Sequence, residues 1–284
     1  MRIKPMRIAL EMLARLVGIC MAATLATSTT WAADIQLLTE LWVPYVNPTK
    51  PSGAEGVAVD LVGAILGSAG INLEPTIQPW PRTYKMALHS KNVLVFSMVK
   101  IPERDKLFTW IAPLIVSEPS VLVYAKNERL PKPQNVEDLK KYKICIMPGT
   151  PFYLKLQTLG FEPNKNLLEF QSIFPDPLSS QDNELKLISH DCQFIVTGWV
   201  ELMAHFRRRG VKDPETQFAF YNAPDAIFGT NMQAWLVASK EFDADALHAI
   251  KAGYQSVLKS GELHTICRAR HGFDKETCQM LEPQ

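Results

Sequence analysis

The sequence predicts an α/β protein made of two lobes with a hinged cleft between them. Apolar runs of strand length alternate with amphipathic helical segments, first over residues 35–96 and again over residues 136–221. A polar, Pro-containing stretch at 126–135 separates the two blocks, and a late apolar strand at 232–238 is expected to return the chain to the first lobe. With 284 residues, of which 47% are hydrophobic, the chain can bury a large core.

The first block is expected to contain three strands that alternate with two helices, at 35–38, 57–68, 71–77, 80–89 and 93–96. Leu61, Ile65 and Leu66 fall on one side of the first helix, and Gly70 ends it. Pro81 stands in the first turn of the second helix, where a missing N–H is tolerated. Such β-α-β-α-β alternation is typical of a parallel sheet with helices on its faces.

The second block repeats this alternation after a strand at 120–125. The expected strands are 143–147, 167–170, 193–196 and 217–221, and the expected helices are 136–140, 152–159, 182–189 and 199–208. A strongly amphipathic helix is predicted at 243–259, because Leu247, Ile250 and Tyr254 recur at helical spacing. We therefore expect a discontinuous first lobe of residues 33–125 plus 232–284, and a second lobe of residues 126–231.

The amino terminus has the pattern of a cleavable signal peptide over residues 1–32. A basic region precedes a short apolar run at 16–26, and Thr30-Trp31-Ala32 offers small residues before cleavage at Ala33. Lipidation of Cys20 is not expected, because bulky Ile19 precedes it. Without this segment the net charge changes from +1 to −2, which gives no reason to expect nucleic acid as a partner. The mature protein is expected in the periplasm, and no later stretch is apolar and long enough to span a membrane.

Four cysteines remain, an even number that suits an oxidising compartment. Pairing Cys267 with Cys278 would staple the carboxyl-terminal tail, while Cys145 and Cys192 each sit on an apolar run that could be a neighbouring strand. A zinc site formed by His264, His271 and the two tail cysteines is the alternative. Two disulfides explain the same residues more simply, so no metal and no cofactor are expected.

Residues 96–110 contain the main candidate ligand-binding residues of the first lobe. Ser97 lies where the third strand leaves the sheet, and Pro102 can start a short turn that carries Arg104. Ligands of open α/β sheets bind outside the carboxyl ends of the strands, and a guanidinium there matches the two oxygens of a carboxylate. The simpler alternative is that Arg104 is a solvated residue in a charged turn.

This segment resembles the Ser-x-x-x-x-x-x-Arg signature of the family 3 extracellular solute-binding proteins, the polar amino-acid-binding components of bacterial ABC importers. Further motifs of that family follow in order along the mature chain: Trp42-x-Pro44-Tyr45, Gly56-Val57-Ala58-Val59-Asp60-Leu61, Pro79-Trp80-x-Arg82, Leu107-Phe108-x-Trp110, Val136-Glu137-Asp138-Leu139, Met147-Pro148-Gly149-Thr150 and Leu258-Lys259-Ser260-Gly261-Glu262-Leu263. The resemblance implies the two-lobe periplasmic binding protein type 2 fold, a monomer, and an inner-membrane ABC permease as partner.

The resemblance also implies a ligand site between the lobes. Ser97 and Arg104 match the clamp for the ligand carboxylate, and Thr150 matches the hydroxyl from the second lobe that completes it at a helix start. The remaining candidates line the path into the cleft or contact the ligand side chain: Glu40, Trp42, Trp80 and Arg82.

Three positions depart from the family pattern. Val99 and Ile101 replace hydroxyl residues near the carboxylate, and Gly198 stands where amino-acid binders carry an Asp for the ligand α-ammonium. Desolvating an amine without a counter-charge is costly, although the carboxylate of Glu40 or Glu201 could replace that of the missing Asp. The sequence therefore predicts a small carboxylate-bearing solute, which is either an amino acid or another anionic or aromatic molecule.

Two other functions fit the same fold. Periplasmic cyclohexadienyl dehydratases resemble these binders, and such an enzyme requires an acid in the cleft, for which Glu40 and Glu201 are the candidates. A sensor-type protein that reports its ligand to a membrane kinase is the other alternative. Because neither acid lies in a recognised catalytic motif, a binding protein without enzymatic activity is the expectation.

Overall fold

The computed structural model describes residues 34–49, 53–169, 191–208, 210–223 and 232–281. The predicted signal peptide and the predicted helix at 182–189 lie outside these residues. The strands are β1 (Gln36–Thr39), β2 (Asn47–Thr49), β3 (Gly53–Glu55), β4 (Thr76–Ile77), β5 (Val93–Val99), β6 (Thr109–Ser117), β7 (Ser120–Ala125), β8 (Ile144–Ile146), β9 (Leu167–Glu169), β10 (Phe194–Gly198), β11 (Phe218–Tyr221) and β12 (Met232–Ala238). The α-helices are α1 (Val57–Ser68), α2 (Trp80–His89), α3 (Val136–Leu139), α4 (Pro151–Thr158), α5 (Trp199–Arg208), α6 (Ala244–Lys259), α7 (Glu262–Thr265) and α8 (Lys275–Cys278).

The first sheet has the strand order β4-β1-β5-β12-β6. Strands β4, β1 and β5 are parallel, whereas β12 runs antiparallel to both β5 and β6. Residues 93–98 of β5 are all buried, because the strand lies in the middle of a sheet that is covered on both faces. The predicted parallel arrangement of the first block is confirmed, and β12 returns the chain to this sheet.

Helices α1 and α6 pack against each other beside the first sheet. A Cβ on Gly253 of α6 would lie 2.6 Å from the carbonyl oxygen of Ile65 in α1. The two backbones therefore approach closely at this point, and a larger residue at position 253 would force them apart.

The second sheet has the order β11-β7-β10-β8-β9, with β9, β8 and β10 parallel. Strand β7 pairs antiparallel with both β10 and β11. The expected lobe boundary after Ala125 would have left β7 in the first lobe, but its hydrogen bonds lie in the second sheet. The chain thus leaves the first sheet at 117–120, in a turn that composition does not mark as a linker.

Two other differences concern strands of the first lobe. The expected strand at 71–77 is reduced to Thr76–Ile77, since Pro75 lacks the N–H that a strand would need. The sequence did not predict β6, which contains Pro113. This strand tolerates proline because it lies at the edge of its sheet, where one side of the backbone needs no strand partner.

Both disulfides form as predicted. Cys145 of β8 bonds to Cys192, just before the neighbouring strand β10, with the Cα atoms 5.7 Å apart. Cys267 bonds to Cys278, with the Cα atoms 6.0 Å apart, and so ties the carboxyl-terminal segment to the helical residues Ile266–Arg270. The zinc alternative is wrong because its two thiols are bonded to each other, and the described residues hold no cluster of three or more metal-binding side chains. Within the described ranges, no helix has the length and apolar character that crossing a membrane requires.

Candidate functional site

A cavity of about 650 Å³, partly open to solvent, lies between the two sheets. Both sheets contribute to its wall through residues at strand ends and in the turns that follow. The first sheet and its loops supply Glu40, Trp42, Ser97, Val99, Ser117 and Met232. The second supplies Ser120, Ile146, Met147, Thr150, Pro151, Phe152, Val196, Thr197, Gly198 and Glu201.

Ser97 has a strained backbone at the edge of this cavity. Its φ of 76° lies in the left-handed region, which non-glycine residues rarely adopt. Strand β12 is irregular between Trp235 and Val237, opposite this part of β5. The Ser97 hydroxyl lies 3.2 Å from that of Thr39. Strain of this kind concentrates where a side chain is held for binding or catalysis.

The turn after β8 and the start of α4 form the opposite wall. The Thr150 hydroxyl caps α4 by accepting a hydrogen bond from the Tyr153 N–H at 3.2 Å, and it donates to the Met147 carbonyl at 2.9 Å. Pro151 and Phe152 continue the wall as the first helical residues. The partial positive charge of the helix start therefore lies beside the cavity.

Two carboxyl groups line the other part of the cavity. Burial raises the pKa of Glu40 to about 8, although the nearby Arg104 guanidinium acts to lower it. Burial also raises the pKa of Glu201 well above its usual range, and the negative charges of Glu40 and Glu118 add to this effect. The Trp42 side chain donates a hydrogen bond to the Glu201 carboxyl and partly offsets the increase.

A third carboxylate, that of Glu118, lies against Gly198. It belongs to the turn between β6 and β7, and its Oε1 accepts a hydrogen bond from the Glu201 backbone N–H at 2.8 Å. A Cβ on Gly198 would lie 2.6 Å from the same oxygen. The carboxylate thus fills the space that a side chain at position 198 would need.

Arg104 is fully buried, behind the cavity wall rather than on it. Its guanidinium donates to the Val99 carbonyl at 3.0 Å and to the Gly149 carbonyl. It lies 5.4 Å from the ring centre of Trp80 and 5.0 Å from that of Tyr84, which are cation–π distances. Burial lowers the pKa of Arg104 to about 10, so the group stays charged at neutral pH.

The predicted site residues are only partly brought together. Glu40, Trp42, Ser97 and Thr150 line the cavity. Trp80 is buried beside Arg104 and donates to the Gly149 carbonyl at 3.1 Å, while Arg82 is exposed on α2. Sequence reasoning considered Glu201 as a substitute for the missing Asp and as the acid of a dehydratase, but not as one of the predicted ligand-binding residues, and it missed Glu118. The Ser-Glu-Pro-Ser sequence around Glu118 indicates a turn, but only the sheet pairing reveals that this turn joins the lobes.

The fold is similar to that of solved solute-binding proteins. The arginine-, lysine- and histidine-binding protein ArtJ of Geobacillus stearothermophilus superposes with a TM-score of 0.64 at 15% identity, over 84% of this chain and 96% of that one. A histidine kinase sensor domain with similarity to periplasmic binding proteins gives 0.63 at 16% identity, over 84% and 96%. A substrate-binding protein of an ABC uptake transporter from Streptococcus pneumoniae, with bound histidine, gives 0.62 at 16% identity, over 84% and 93%.

No family model and no curated protein matches the sequence. The structural similarities therefore establish the fold, which is the predicted two-lobed periplasmic binding protein fold. They also show that amino-acid-binding proteins of ABC transporters share it.

Proposed function

We propose that this chain is an exported solute-binding protein that captures a small solute between its lobes and delivers it to an ABC importer in the inner membrane. The observation that carries the proposal is the cavity between the two sheets, lined by strand ends and turns from both. Open α/β sheets bind ligands at such strand ends. Closure of two lobes around the ligand would remove it from water and allow a permease to distinguish loaded from empty protein.

The polarity of the cavity supports a nitrogen-bearing solute, an amino acid or a related amine. Ser97 contributes a hydroxyl from the first sheet, and Thr150 at the α4 start contributes one from the opposite wall. Glu40 and Glu201 lie on the wall as well. The carboxylate clamp expected from Arg104 has less support, because that guanidinium already donates to two backbone carbonyls.

A thermal-shift screen of amino acids, organic acids, polyamines and aromatic acids tests this proposal. We expect at least one compound to raise the melting temperature by several degrees, and the Ser120→Trp substitution, which fills the cavity, to abolish that shift. Glu74→Trp is the matched control, because Glu74 is exposed and does not line the cavity. A shift that survives Ser120→Trp would place the ligand elsewhere and contradict the proposal.

Sensing is a second candidate function, favoured by the similarity to a histidine kinase sensor domain. Transport and sensing predict different effects of deleting the gene for this protein. Deleting the gene should abolish uptake of the radiolabelled ligand if the protein feeds a permease. Unchanged uptake together with a lost transcriptional response would support sensing.

An enzyme is a third candidate, since Glu40 has a pKa of about 8 and a carboxyl that is protonated near neutral pH can act as a general acid. Incubation of the purified protein with prephenate or arogenate tests the dehydratase alternative. Absence of turnover, measured by the appearance of aromatic product, is the result expected for a binding protein.

A further inference from the structure

We infer that the ligand is an organic cation without a carboxylate, such as an alkyl diamine, and that Glu118 determines this preference together with Glu40 and Glu201. This inference rests on the proposed function, because it assigns a ligand class to the same cavity. It depends on the charges that reach the cavity wall, on the position of Glu118 against Gly198, and on the hydrogen bonds that occupy Arg104.

The described wall of the cavity carries carboxyl side chains but no basic side chain. Among the described residues, no Lys or Arg side chain lines it, whereas Glu40 and Glu201 both do. The nearest guanidinium, that of Arg104, is fully buried and donates to the Val99 and Gly149 carbonyls. A ligand carboxylate would therefore meet no Lys or Arg side chain on this described part of the wall, and desolvating it there would be unfavourable.

Glu118 adds a third carboxylate behind Gly198, on the wall of a neighbouring pocket rather than of the cavity itself. Its carboxylate occupies the space over Gly198, a residue that lines the cavity and has no side chain of its own. The hydrogen bond from the Glu201 N–H holds the carboxylate in place. Glu118 belongs to the turn that joins the two sheets, so its position depends on how the lobes are arranged. A cationic group beside Glu201 would also lie in the field of Glu118, and so would be stabilised both by the second lobe and by the turn that joins the lobes.

The ring of Trp42 gives the cation a second kind of partner. Trp42 lines the cavity beside Glu40, and its side chain donates to Glu201. An ammonium or guanidinium group near an aromatic face and a carboxylate is stabilised by both. The apolar lining from Val99, Ile146 and Met232 suits the methylene chain of an alkyl amine.

Binding of a cation should release protons. The groups that face Glu40 and Glu201 are Arg104, Trp42 and Glu118, and Tyr45 lies within the field of Glu118 and Glu201. Since burial raises the pKa of both cavity acids, a bound positive charge would shift them toward the ionised form. Affinity for a diamine should then increase from pH 6 to pH 8.

Three ligands with the same five-carbon chain separate charge from size: cadaverine, 5-aminopentanoate and glutarate. In calorimetry at pH 8 we expect cadaverine to bind at least about tenfold more tightly than 5-aminopentanoate, and glutarate not to bind. Equal or tighter binding of either carboxylate compound overturns the inference and leaves the proposed function intact. If cadaverine fails and an amino acid binds, the inference is also wrong. If no compound of this set or of the wider screen binds, the proposed function is wrong as well.

Glu118→Gln isolates the charge of this residue, because the amide oxygen can still accept from the Glu201 N–H. We expect cadaverine affinity to fall about tenfold or more, and the double substitution Glu118→Ala with Gly198→Asp to restore it to within a few-fold by moving the carboxylate to position 198. Glu74→Gln, at an exposed position outside the cavity, should leave affinity unchanged. Unaltered cadaverine affinity in Glu118→Gln would show that the charge of Glu118 does not contribute to binding.

Discussion

The Arg104 guanidinium donates a hydrogen bond to the carbonyl oxygen of Gly149, so a buried cation of the first lobe holds a turn of the second. The same oxygen accepts the Trp80 indole N–H at 3.1 Å. Gly149 has a φ of 76°, a conformation that glycine adopts without strain. The turn that leads into α4 is thus held against the first lobe at a single carbonyl, beside the ligand cavity.

Arg104→Ala should lower the free energy of unfolding by about 2–4 kcal/mol, because it removes a fully buried side chain together with its hydrogen bonds to the Val99 and Gly149 carbonyls. For a chain of this length this corresponds to roughly 4–16 °C in melting temperature, which circular dichroism can measure. Arg82→Ala, at an exposed position on the neighbouring helix, is the control and should change little. Equal melting temperatures for the two variants would show that the Gly149 contact contributes nothing.

The free energy of unfolding should decrease as the pH rises from about 4.5 to about 8. Burial raises the pKa of Glu40 from 4.5 to about 8, so in this interval the folded chain keeps a proton that the unfolded chain releases. Each pH unit can therefore cost up to about 1.4 kcal/mol. Urea unfolding at pH 5, 6.5 and 8 measures the slope, which should flatten in Glu40→Gln but not in Glu74→Gln. An identical slope in all three proteins would exclude Glu40 as its source.

The two disulfides should differ in their contribution to stability. Cys145 and Cys192 are separated by 47 residues and Cys267 and Cys278 by 11. Loop entropy then gives roughly 4 kcal/mol for the first and roughly 3 kcal/mol for the second. Replacing each pair with Ser and measuring thermal unfolding checks the order. A larger loss from the tail disulfide would mean that contacts of the tail, rather than chain entropy, decide its effect.

Arg208→Ala should favour the open arrangement of the lobes. Arg208 of α5 donates to Asn47 Oδ1 at 3.1 Å and to the Pro48 carbonyl at 2.8 Å, so it joins the second lobe to the β2–β3 hairpin. These exposed contacts are each weak, so a few-fold loss of ligand affinity is expected. Small-angle X-ray scattering of the unliganded protein should give a larger radius of gyration. Arg207→Ala is the control, because Arg207 pairs with Glu215 within the second lobe, and a matching increase in that variant would contradict the assignment.

Local sequence patterns predicted most elements of the two sheets. The range of α5 and that of β12 agree with expectation, and α1 and α2 do so as well, because apolar periodicity and helix-end residues act within a few residues of each other. Edge strand β6 was missed because Pro113 usually argues against a strand, and its place at the sheet edge is a property of the whole sheet. The lobe boundary shifted for a similar reason, since β7 finds its partners in strands that follow it by many residues.

The sequence by itself determined the α/β class, the paired cysteines, and the presence of Glu40, Trp42, Ser97 and Thr150 at strand ends and turns that face a cleft. Only the tertiary structure decided which groups the charged side chains of Arg104 and Glu118 contact. Arg104 lies behind the Gly149 turn, and Glu118 fills the space over Gly198. Burial and hydrogen-bond partners depend on which segments meet across the lobes, and no local pattern of residues contains that information.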